Sequence, residues 1–397
     1  MDVRKNVMIL YLIVFFHNLI PAYVIERLFW QDRGMTVLMV VYCEIIYAAV
    51  IVLSEIPTGV LADRFGRKIL IVIGGLFSLL EMIILLFAHS FWSFALAVGL
   101  AGIAGACVSG ALNALLYDSL LERKEEKSFE KIVGRMNAID LIGSIIAALS
   151  GSVIARWFGL EFNYILSASS LFLAFLFTLR LREPQSKQRD LLVSSNHIGV
   201  KAYLISSFAF FKSHPKLILI VIQAMGISAC ITYLDEFWQL YLDEIGFSLL
   251  FFGVFSAILS LVKIPGNLLA SRFLEKYSAG QIIIGVLFII TAGLFLTAMF
   301  PGPLGMIVIV IIFLASGVID PVITGYVHHR TDSTIRATVE SVQSLLERGI
   351  TLSIGLGFGL IATRVSVTIG FAYLGAVSLA FLVWMLVKSN KFRVLHQ

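Results

Sequence analysis

Charged residues are scarce in this chain. Asp, Glu, Lys and Arg make up 14% of its 397 residues, whereas 59% are hydrophobic and the mean hydropathy is +0.95. Soluble domains have about 25% charged residues, so a soluble fold is excluded and we predict a polytopic membrane protein. The net charge of +5 then reports which side of the membrane the basic residues occupy, and it does not imply a nucleic-acid partner.

Cysteine is scarcer still. Cys43, Cys107 and Cys230 lie in three separate apolar runs, without CxxC spacing or neighbouring histidines. This pattern argues against disulfides and against a metal site. The sequence has no P-loop, so ATP-driven transport is not expected. No Ser/His/Asp set recurs at helical spacing, and we therefore expect neither an enzyme nor a cofactor.

Long hydrophobic runs are what the chain has in abundance. Twelve are long enough to cross about 30 Å of hydrocarbon at 1.5 Å per residue. They fall at about residues 6–30, 36–62, 69–88, 92–117, 133–157, 162–181, 216–242, 247–271, 279–300, 303–327, 337–362 and 366–388. We predict an all-α integral membrane protein of twelve transmembrane helices, in two six-helix halves at 1–181 and 216–397. A cytoplasmic linker at 182–215 joins them, either plain or with a surface helix at 200–211.

The basic residues indicate the orientation. With both termini cytoplasmic, 24 of the 30 Lys and Arg residues lie on that side. Four lie outside, namely Arg27, Arg33, Arg156 and Arg364, and the other two, Lys263 and Arg348, lie within spans. This bias favours a multi-pass protein of the inner (cytoplasmic) membrane with both termini inside. The N-terminal run lacks a small-residue cleavage site, so we expect it to remain as the first span.

An internal repeat supports two halves. The segment SEIPTGVLADRF at 54–65 aligns without gaps with VKIPGNLLASRF at 262–273, an offset of 208 residues. Both copies end the second span of their half. The pattern is typical of parallel repeats related by an axis along the membrane normal. The second copy has Ser271 where the first has Asp63.

A short motif rich in charged residues overlaps the end of the first copy, and the two hydrophobic runs on either side meet at it. It reads Gly59-x-x-x-Asp63-Arg64-x-Gly66-Arg67-Lys68. A turn this short requires antiparallel helices, and Gly59 and Gly66 suit it because glycine allows close approach and positive φ. In spacing, charge order and position the motif resembles the loop between helices two and three of the major facilitator superfamily of secondary transporters. With Leu-Leu-Tyr-Asp-Ser-Leu at 115–120, it resembles a bacterial, exporter-like branch.

The resemblance implies roles for the loop. Asp63 would cap the eleventh helix near residues 331–333, and Arg67 would meet Asp118 at the end of the fourth. The resemblance also implies transport by alternating access between the two halves, as a monomer. The conformational residues would be Gly59, Asp63, Arg64, Gly66, Arg67 and Asp118.

Ionisable residues within the spans are candidates for transport, since a charge at the bilayer centre costs about 3 kcal/mol. The proton-coupling or gating candidates are Glu55, Asp140, Lys263, Glu347 and Arg348. In the fold that the chain resembles, span two lies beside span eleven and span five beside span eight. We therefore expect that, when the cytoplasmic side is closed, Asp140 pairs with Lys263, and Glu55 with Arg348 in competition with Glu347. Protonation of the acid would weaken each pair as the halves move.

Polar stripes at helical spacing supply further candidates for a substrate cavity. They are Asn18, Tyr23, Glu26, Asn137, Thr232, Asp235, Glu236, Trp238, Gln239, Asp320, Glu340 and Gln343. Alternative interpretations stay open for several. Asp235 and Glu236 either line the cavity or are solvated at the outer end, and Asp320 and Glu340 either line it or snorkel. His17 and Asn18 contact either substrate or a neighbouring helix.

Three residues fit these interpretations less well. Glu26 and Arg27 are expected to mark the outer boundary of the first span. Glu81 lies deep in the third span without other polar residues at helical spacing, and the sequence does not explain it.

The expected function is proton-coupled efflux of small amphipathic, cationic or zwitterionic organic compounds across the lipid bilayer. A few acids and the aromatic residues Tyr23, Phe237, Trp238 and Tyr241 suit such substrates. The alternatives are a symporter that imports a polar metabolite and a lipid flippase on the same fold. The chain lacks the arginine in span four and the Gly-Pro motif in span five that drug:proton antiporters of the superfamily usually carry, so the resemblance does not fix the direction of transport.

Overall fold

Every regular element in the described part of the chain is a helix. A computed structural model describes residues 4–184, 215–328 and 336–394. Its α-helices are α1 (Arg4–Asn18), α2 (Glu26–Asp32), α3 (Val37–Phe65), α4 (Arg67–Phe87), α5 (Phe91–Ser109), α6 (Ala111–Leu121), α7 (Phe129–Phe158), α8 (Leu160–Leu179), α9 (Pro215–Glu244), α10 (Phe252–Lys276), α11 (Ala279–Met299), α12 (Pro303–Ser316), α13 (Ile319–His328), α14 (Arg336–Arg364) and α15 (Val367–Val394). Short 3-10 turns lie at Pro21–Ile25, Glu126–Ser128 and Leu249–Phe251.

The predicted twelve spans are confirmed. Twelve helical segments of the described chain are long and apolar enough to cross a membrane. They are Lys5–Asp32, Val37–Glu55, Arg67–Phe87, Phe91–Leu121, Glu126–Phe158, Leu160–Leu179, Leu217–Glu244, Leu249–Lys276, Ala279–Met299, Pro303–Val327, Gln343–Arg364 and Val367–Lys388. The first, fourth and tenth spans each contain two α-helices in sequence, α1–α2, α5–α6 and α12–α13.

Polar caps fix where several helices begin. The Thr36 hydroxyl accepts a hydrogen bond from the Met39 amide at the start of α3. Ser90 forms a reciprocal capping box at the start of α5, and Ser278 forms one with Gln281 at the start of α11. Each cap satisfies backbone amides that the first turn of a helix leaves without partners. These residues therefore allow long apolar helices to follow one another after short turns.

The turn between α3 and α4 is a single residue. Gly66 has φ +100° and ψ 155°, a conformation that glycine adopts far more readily than other residues. A Cβ on Gly66 would come within 2.8 Å of the Glu183 carboxylate. The expectation for Gly66 is confirmed, whereas Gly59 lies inside α3 with open space beside it and takes no part in the turn.

The described residues divide into two compact units. The first contains residues 4–184 and 248–257, and α1 packs on α7 and α8 there while α4 packs on α5 and α8. Buried aliphatic side chains of α1, α4, α6 and α7 form one continuous core cluster. Asn6 is 1% exposed and donates to the Ser119 hydroxyl at 3.0 Å and to the Arg182 carbonyl at 2.9 Å. These bonds join α1 to α6 and to the end of α8.

The second unit contains residues 215–247, 258–328 and 336–394 of the described chain. In it α9 packs on α14 and α15, and α11 packs on α12 and α15. Four aromatic rings of Tyr233, Phe237, Phe358 and Phe371 pack together in its interior, with Phe237 and Phe358 5.1 Å apart. The predicted linker, with its possible surface helix at 200–211, falls almost wholly on residues 185–214, outside the described residues.

Candidate functional site

A polar cavity of about 380 Å³ lies within the first unit. Its apolar wall comes from α1, α4, α5, α6, α7 and α8, and its polar lining residues are His17, Asn18, Asn113, Asn137, Asp140 and Thr178. We call it the Asp140 cavity. It brings together three of the sequence-predicted candidates, Asn18, Asn137 and Asp140. Asn113 and Thr178 were not singled out from the sequence, although both continue the polar lining from neighbouring helices.

Amide side chains and a histidine surround Asp140 in this cavity. The Asn18 side chain and His17 both lie close enough to its carboxylate to interact with it electrostatically. Asn18 also donates to the Val14 carbonyl at 2.9 Å in its own helix. The Asn18 side chain therefore bonds to the backbone of its own helix and also lines the cavity. Asp140 forms no ion pair with a lysine or arginine of the described chain, so a proton or a cationic ligand can neutralise it.

Lys263 pairs with a different acid from the one expected. Its Nζ atom lies 3.2 Å from Oδ2 of Asp235 and 4.7 Å from the centre of the Phe313 ring. Asp235 is on α9 and Lys263 on α10, both in the second unit. The pair of Lys263 with Asp140 that is expected when the cytoplasmic side is closed remains a prediction, because the two residues belong to separate units.

The Asp235–Lys263 pair lines a second polar cavity, of about 230 Å³. Its polar lining residues are Ser228, Thr232, Asp235, Lys263, Asn267, Ser316 and Asp320. Thr232, Asp235 and Asp320 therefore share one cavity, and Lys263, a coupling candidate, lies among them. Asp235 thus belongs to a cavity as well as to an ion pair, and Asp320 faces the same space.

Several predicted cavity residues lie in the packed interior of the second unit. Phe237, Trp238, Gln239 and Tyr241 are each less than 7% exposed. The Tyr241 hydroxyl accepts a hydrogen bond from the Gly302 amide at 3.3 Å. Packing of these side chains therefore stabilises the bundle. In this structure they do not form the aromatic wall that was expected of a substrate site.

The remaining candidates are more dispersed. Glu236, Gln343, Glu347 and Arg348 are half-buried in the second unit, and Tyr23 is exposed in the first. The side chains of Asp63 and Glu340, and the cap near residues 331–333 expected for Asp63, lie outside the described residues. Pairing of Glu55 with Arg348 remains a prediction.

The charged loop after α3 makes the contact expected of it. The Arg67 guanidinium donates to the Asp118 carboxylate and to the Ala114 carbonyl, the latter at 2.6 Å. Glu55, Thr58, Gly59 and Arg67 line a cavity of about 400 Å³ beside the loop. Arg64 is exposed next to them. The loop is thus fastened to α6 within its own unit.

Glu183 is a residue of this loop region that sequence reasoning missed. Its carboxylate accepts hydrogen bonds from the Arg67 amide at 2.9 Å and from the Lys68 amide at 2.7 Å. It therefore caps the N-terminus of α4, where a negative charge is favourable. Its position directly after the sixth span was the available signal, since a helix that starts without a side-chain cap needs an acceptor from elsewhere.

Comparison with known proteins decides the family. The family model of the Major Facilitator Superfamily matches residues 7–355. The chain belongs to that superfamily. Two bacterial relatives of this superfamily member are named multidrug resistance protein MdtG, from Klebsiella pneumoniae (strain 342) at 29% identity and from Rahnella sp. (strain Y9602) at 31% identity. The alignments cover 41% and 47% of the chain and 36% and 42% of those relatives, so the match spans less than half of their length.

Solved structures share the fold of this superfamily member. The nucleoside transporter NupG superposes with a TM-score of 0.72 at 16% identity and covers 100% of both chains. A D-xylose-proton symporter superposes with a TM-score of 0.66 at 12% identity and covers 96% of each chain. At these identities the likeness concerns the fold alone. The chain is a multi-pass membrane transporter of the superfamily.

The first span also contains a buried charged residue, Arg27, which was expected on the outer side of the membrane. Arg27 is 7% exposed, and its guanidinium lies 3.7 Å from the Glu26 carboxylate and 4.0 Å from the Glu44 carboxylate. The assignment of Glu26 and Arg27 to the outer boundary of the span remains a prediction, and the structure adds that Arg27 is buried there. Burial succeeds because carboxylates and the Trp30 ring, 4.9 Å away, surround the guanidinium.

Proposed function

We propose that this transporter exports small amphipathic, cationic or zwitterionic organic compounds in exchange for protons, by alternating access in the cytoplasmic membrane. The observation that carries the proposal is the Asp140 cavity. The Asp140 carboxylate lies close to Asn18 and His17 and has no ion pair with a lysine or arginine of the described chain. It can therefore bind either a proton or a cationic group. Competition between the two at one acid is a physical route to antiport.

The relatives support the direction of transport. Both are named as multidrug resistance proteins, and efflux is what such a name describes for them. Their match covers less than half of their length, so the direction and the substrate class are our proposal for this chain. We further propose that both termini are cytoplasmic, as the basic residues indicate, and that the protein works as a monomer.

Chemistry within the cavity favours an amphipathic cation. The apolar wall contains Ile13, Val14, Ile71, Leu112 and Leu171, which suit the hydrocarbon part of such a ligand. The amide side chains in the lining can donate to or accept from its polar groups. A cationic ligand beside Asp140 would neutralise its carboxylate, which has no ion-pair partner among the described residues.

Proteoliposomes that enclose a pH-sensitive dye test the proposal. An imposed pH gradient is challenged with a panel of cationic and zwitterionic compounds, a sugar and a labelled lipid. We expect cationic compounds to dissipate the gradient in the wild type, about fivefold or more faster than in Asp140→Asn, the lower end of typical coupling energies. Asp32→Asn is the matched control, because Asp32 is exposed at the end of α2.

The other outcomes are equally informative. Uptake of the sugar together with protons would establish a symporter and overturn the proposal. Movement of the lipid without proton flux would establish a flippase. Equal rates in the wild type and Asp140→Asn would remove Asp140 from the coupling mechanism.

A further inference from the structure

An apolar groove of about 400 Å³ lies within the second unit, and it shares no lining residue with the cavity that holds Asp235. One face each of α10, α11 and α12 forms its walls. On α11 the lining residues Gln281, Gly285 and Ile289 recur every four residues, and on α12 Ile311 and Ala315 do so. This spacing places the members of each set on one side of their helix. We call the space between these three faces the α10–α12 groove.

The groove runs from one end of these spans toward their middle. Its outer end lies where α10 ends and α11 begins, beside Tyr277 and Gln281. At 1.5 Å per residue it extends about 12 Å along α11, to Ile289, and about 16 Å along α10, to Gly266. The helices α10 and α12 approach each other closely at the inner end, because a Cβ on Gly266 would lie 2.4 Å from the Leu314 carbonyl oxygen. The groove is therefore long, narrow and closed at its inner end.

A missing side chain makes room in the groove. Gly285 is exposed in the middle of the α11 wall, and a Cβ there would meet no atom within 4 Å. Ile289 and Ile311 in the same lining are 39% and 47% exposed. The whole of α11, Ala279–Met299, carries no charged residue. An exposed apolar face on a membrane span lies against lipid, so this groove suits a hydrocarbon chain.

The polar side chains of the lining, Tyr277 and Gln281, both lie at the outer end of the groove. The Gln281 side-chain oxygen accepts hydrogen bonds from the Ser278 amide at 2.9 Å and from the Ser278 hydroxyl at 3.1 Å, which fixes its orientation. The amide nitrogen of Gln281 and the hydroxyl of Tyr277 have no hydrogen-bond partner among the described residues. Both groups can therefore donate to the oxygen atoms of a ligand.

Two cations border the outer end of the groove. Lys276 is three residues after Phe273, a lining residue, and so lies on the groove side of α10, whereas Glu275 lies on the opposite side. Arg272 is three residues after Leu269, which also lines the groove. Both cations are exposed, and neither forms an ion pair with an acid of the described chain. The rim of the groove therefore complements an anionic group.

We propose that the α10–α12 groove binds an acyl chain of an anionic phospholipid, as a resident lipid of the second unit that is not itself transported. Lys276 and Arg272 hold the lipid phosphate. The ester oxygens of the lipid accept hydrogen bonds from Gln281 and Tyr277. Anionic lipids are abundant in the cytoplasmic leaflet, where the proposed orientation places the outer end of the groove. Only this choice of leaflet depends on the proposed orientation, whereas the groove and its basic rim do not.

Native mass spectrometry of the purified full-length protein counts the bound lipids. The protein is mixed with phosphatidylglycerol, which is anionic, or with phosphatidylcholine of identical acyl chains, which has no net charge. We expect the wild type to retain phosphatidylglycerol about fivefold or more over phosphatidylcholine, since one basic side chain near the headgroup has an effect of this size. Lys276→Gln should lower this preference about fivefold. Lys127→Gln is the matched control, because Lys127 is an exposed lysine of the turn Glu126–Ser128 in the first unit.

A second variant tests the groove itself. Gly285→Leu should fill the groove, and retention of both lipids should be lost. Gly134→Leu is its matched control, because Gly134 is an exposed glycine inside α7 that also has no atom within 4 Å of an added Cβ.

Four results would overturn the proposal. Equal retention of the two lipids by the wild type, or a preference that Lys276→Gln leaves intact, would show that the basic rim does not select the headgroup. Unchanged retention in Gly285→Leu would place the lipid elsewhere. A dimer without bound lipid, lost in Gly285→Leu, would assign the groove to a second copy of the chain. Lipid retention is measured without transport, so a failure of this inference and a failure of the proposed function are distinguishable.

Discussion

The two helical units hold their membrane-embedded acids in opposite ways. In the first, amide side chains and a histidine line the cavity around Asp140, which has no ion pair among the described residues. In the second, Asp235 has its own cation, Lys263, at 3.2 Å. A nearby cation favours the charged form of an acid, whereas an acid without one can be neutralised by a proton or by a cationic ligand. Under the proposed function, proton exchange is therefore expected in the first unit.

The largest expected effect distinguishes the two acids. Asp140→Asn should lower gradient-driven transport about tenfold, because a neutral side chain neither binds a cation nor releases a proton, and coupling of this size is typical. Asp235→Asn should lower it less, since Lys263 already provides a cation for that acid within the protein. The rates of both variants in one proteoliposome preparation provide the measurement. A larger loss in Asp235→Asn would reverse the assignment of the two units.

A double-mutant cycle sharpens the second unit's side of the comparison. Asp235→Asn and Lys263→Met should each lower thermal stability, and the double variant should lose less than the sum, by about 0.5–3 kcal/mol of interaction energy. Thermal unfolding in detergent measures it. In the same cycle between Asp140 and Lys263, the changes in stability should be additive. Non-additive changes would show that these two residues interact.

Two glycines of the signature loop test how the first unit fixes its turn. Gly66→Ala should destabilise the protein by about 1–3 kcal/mol, because its φ of +100° strains other residues and the added Cβ would meet Glu183. Gly59→Ala should stabilise it by roughly 0.5–1 kcal/mol, since Gly59 lies inside α3 with open space around it. Unfolding midpoints give both values. The same change in stability from both substitutions would contradict the structure of the turn.

The smallest expected effect compares two helix caps. Glu183 caps α4 in the first unit, and Glu244 caps α15 in the second through the Val367 amide at 2.7 Å and the Thr368 amide at 3.1 Å. Glu183→Ala and Glu244→Ala should each cost about 1 kcal/mol of stability. Transport should fall in Glu183→Ala alone, because Glu183 also positions Arg67. Equal transport rates in the two variants would show that the loop does not depend on its cap.

Hydrophobic length and the charged loop were enough to predict the fold. Runs of apolar residues predicted twelve spans, and the contact of Arg67 with Asp118 followed from the family resemblance. Both depend on features that are local in sequence or shared by the superfamily. The structure and the family match confirm them.

Contacts between helices were much less predictable. Helical periodicity shows which residues share a face, as Asn137 and Asp140 do, but not which face of a second helix they meet. The pair of Lys263 with Asp235 was not predicted for this reason. Arg27 was assigned to the outer boundary of the first span, and only the structure shows that its guanidinium is buried beside the carboxylates of Glu26 and Glu44.

Proton counting on compound binding tests the central claim most directly. The purified protein, in weakly buffered detergent with a pH indicator, is mixed with a cationic compound that it transports. If Asp140 exchanges a proton for the compound, the wild type and Asp235→Asn should release protons on binding and Asp140→Asn should release none. Equal proton release by the wild type and Asp140→Asn, with the compound bound to both, would contradict the account.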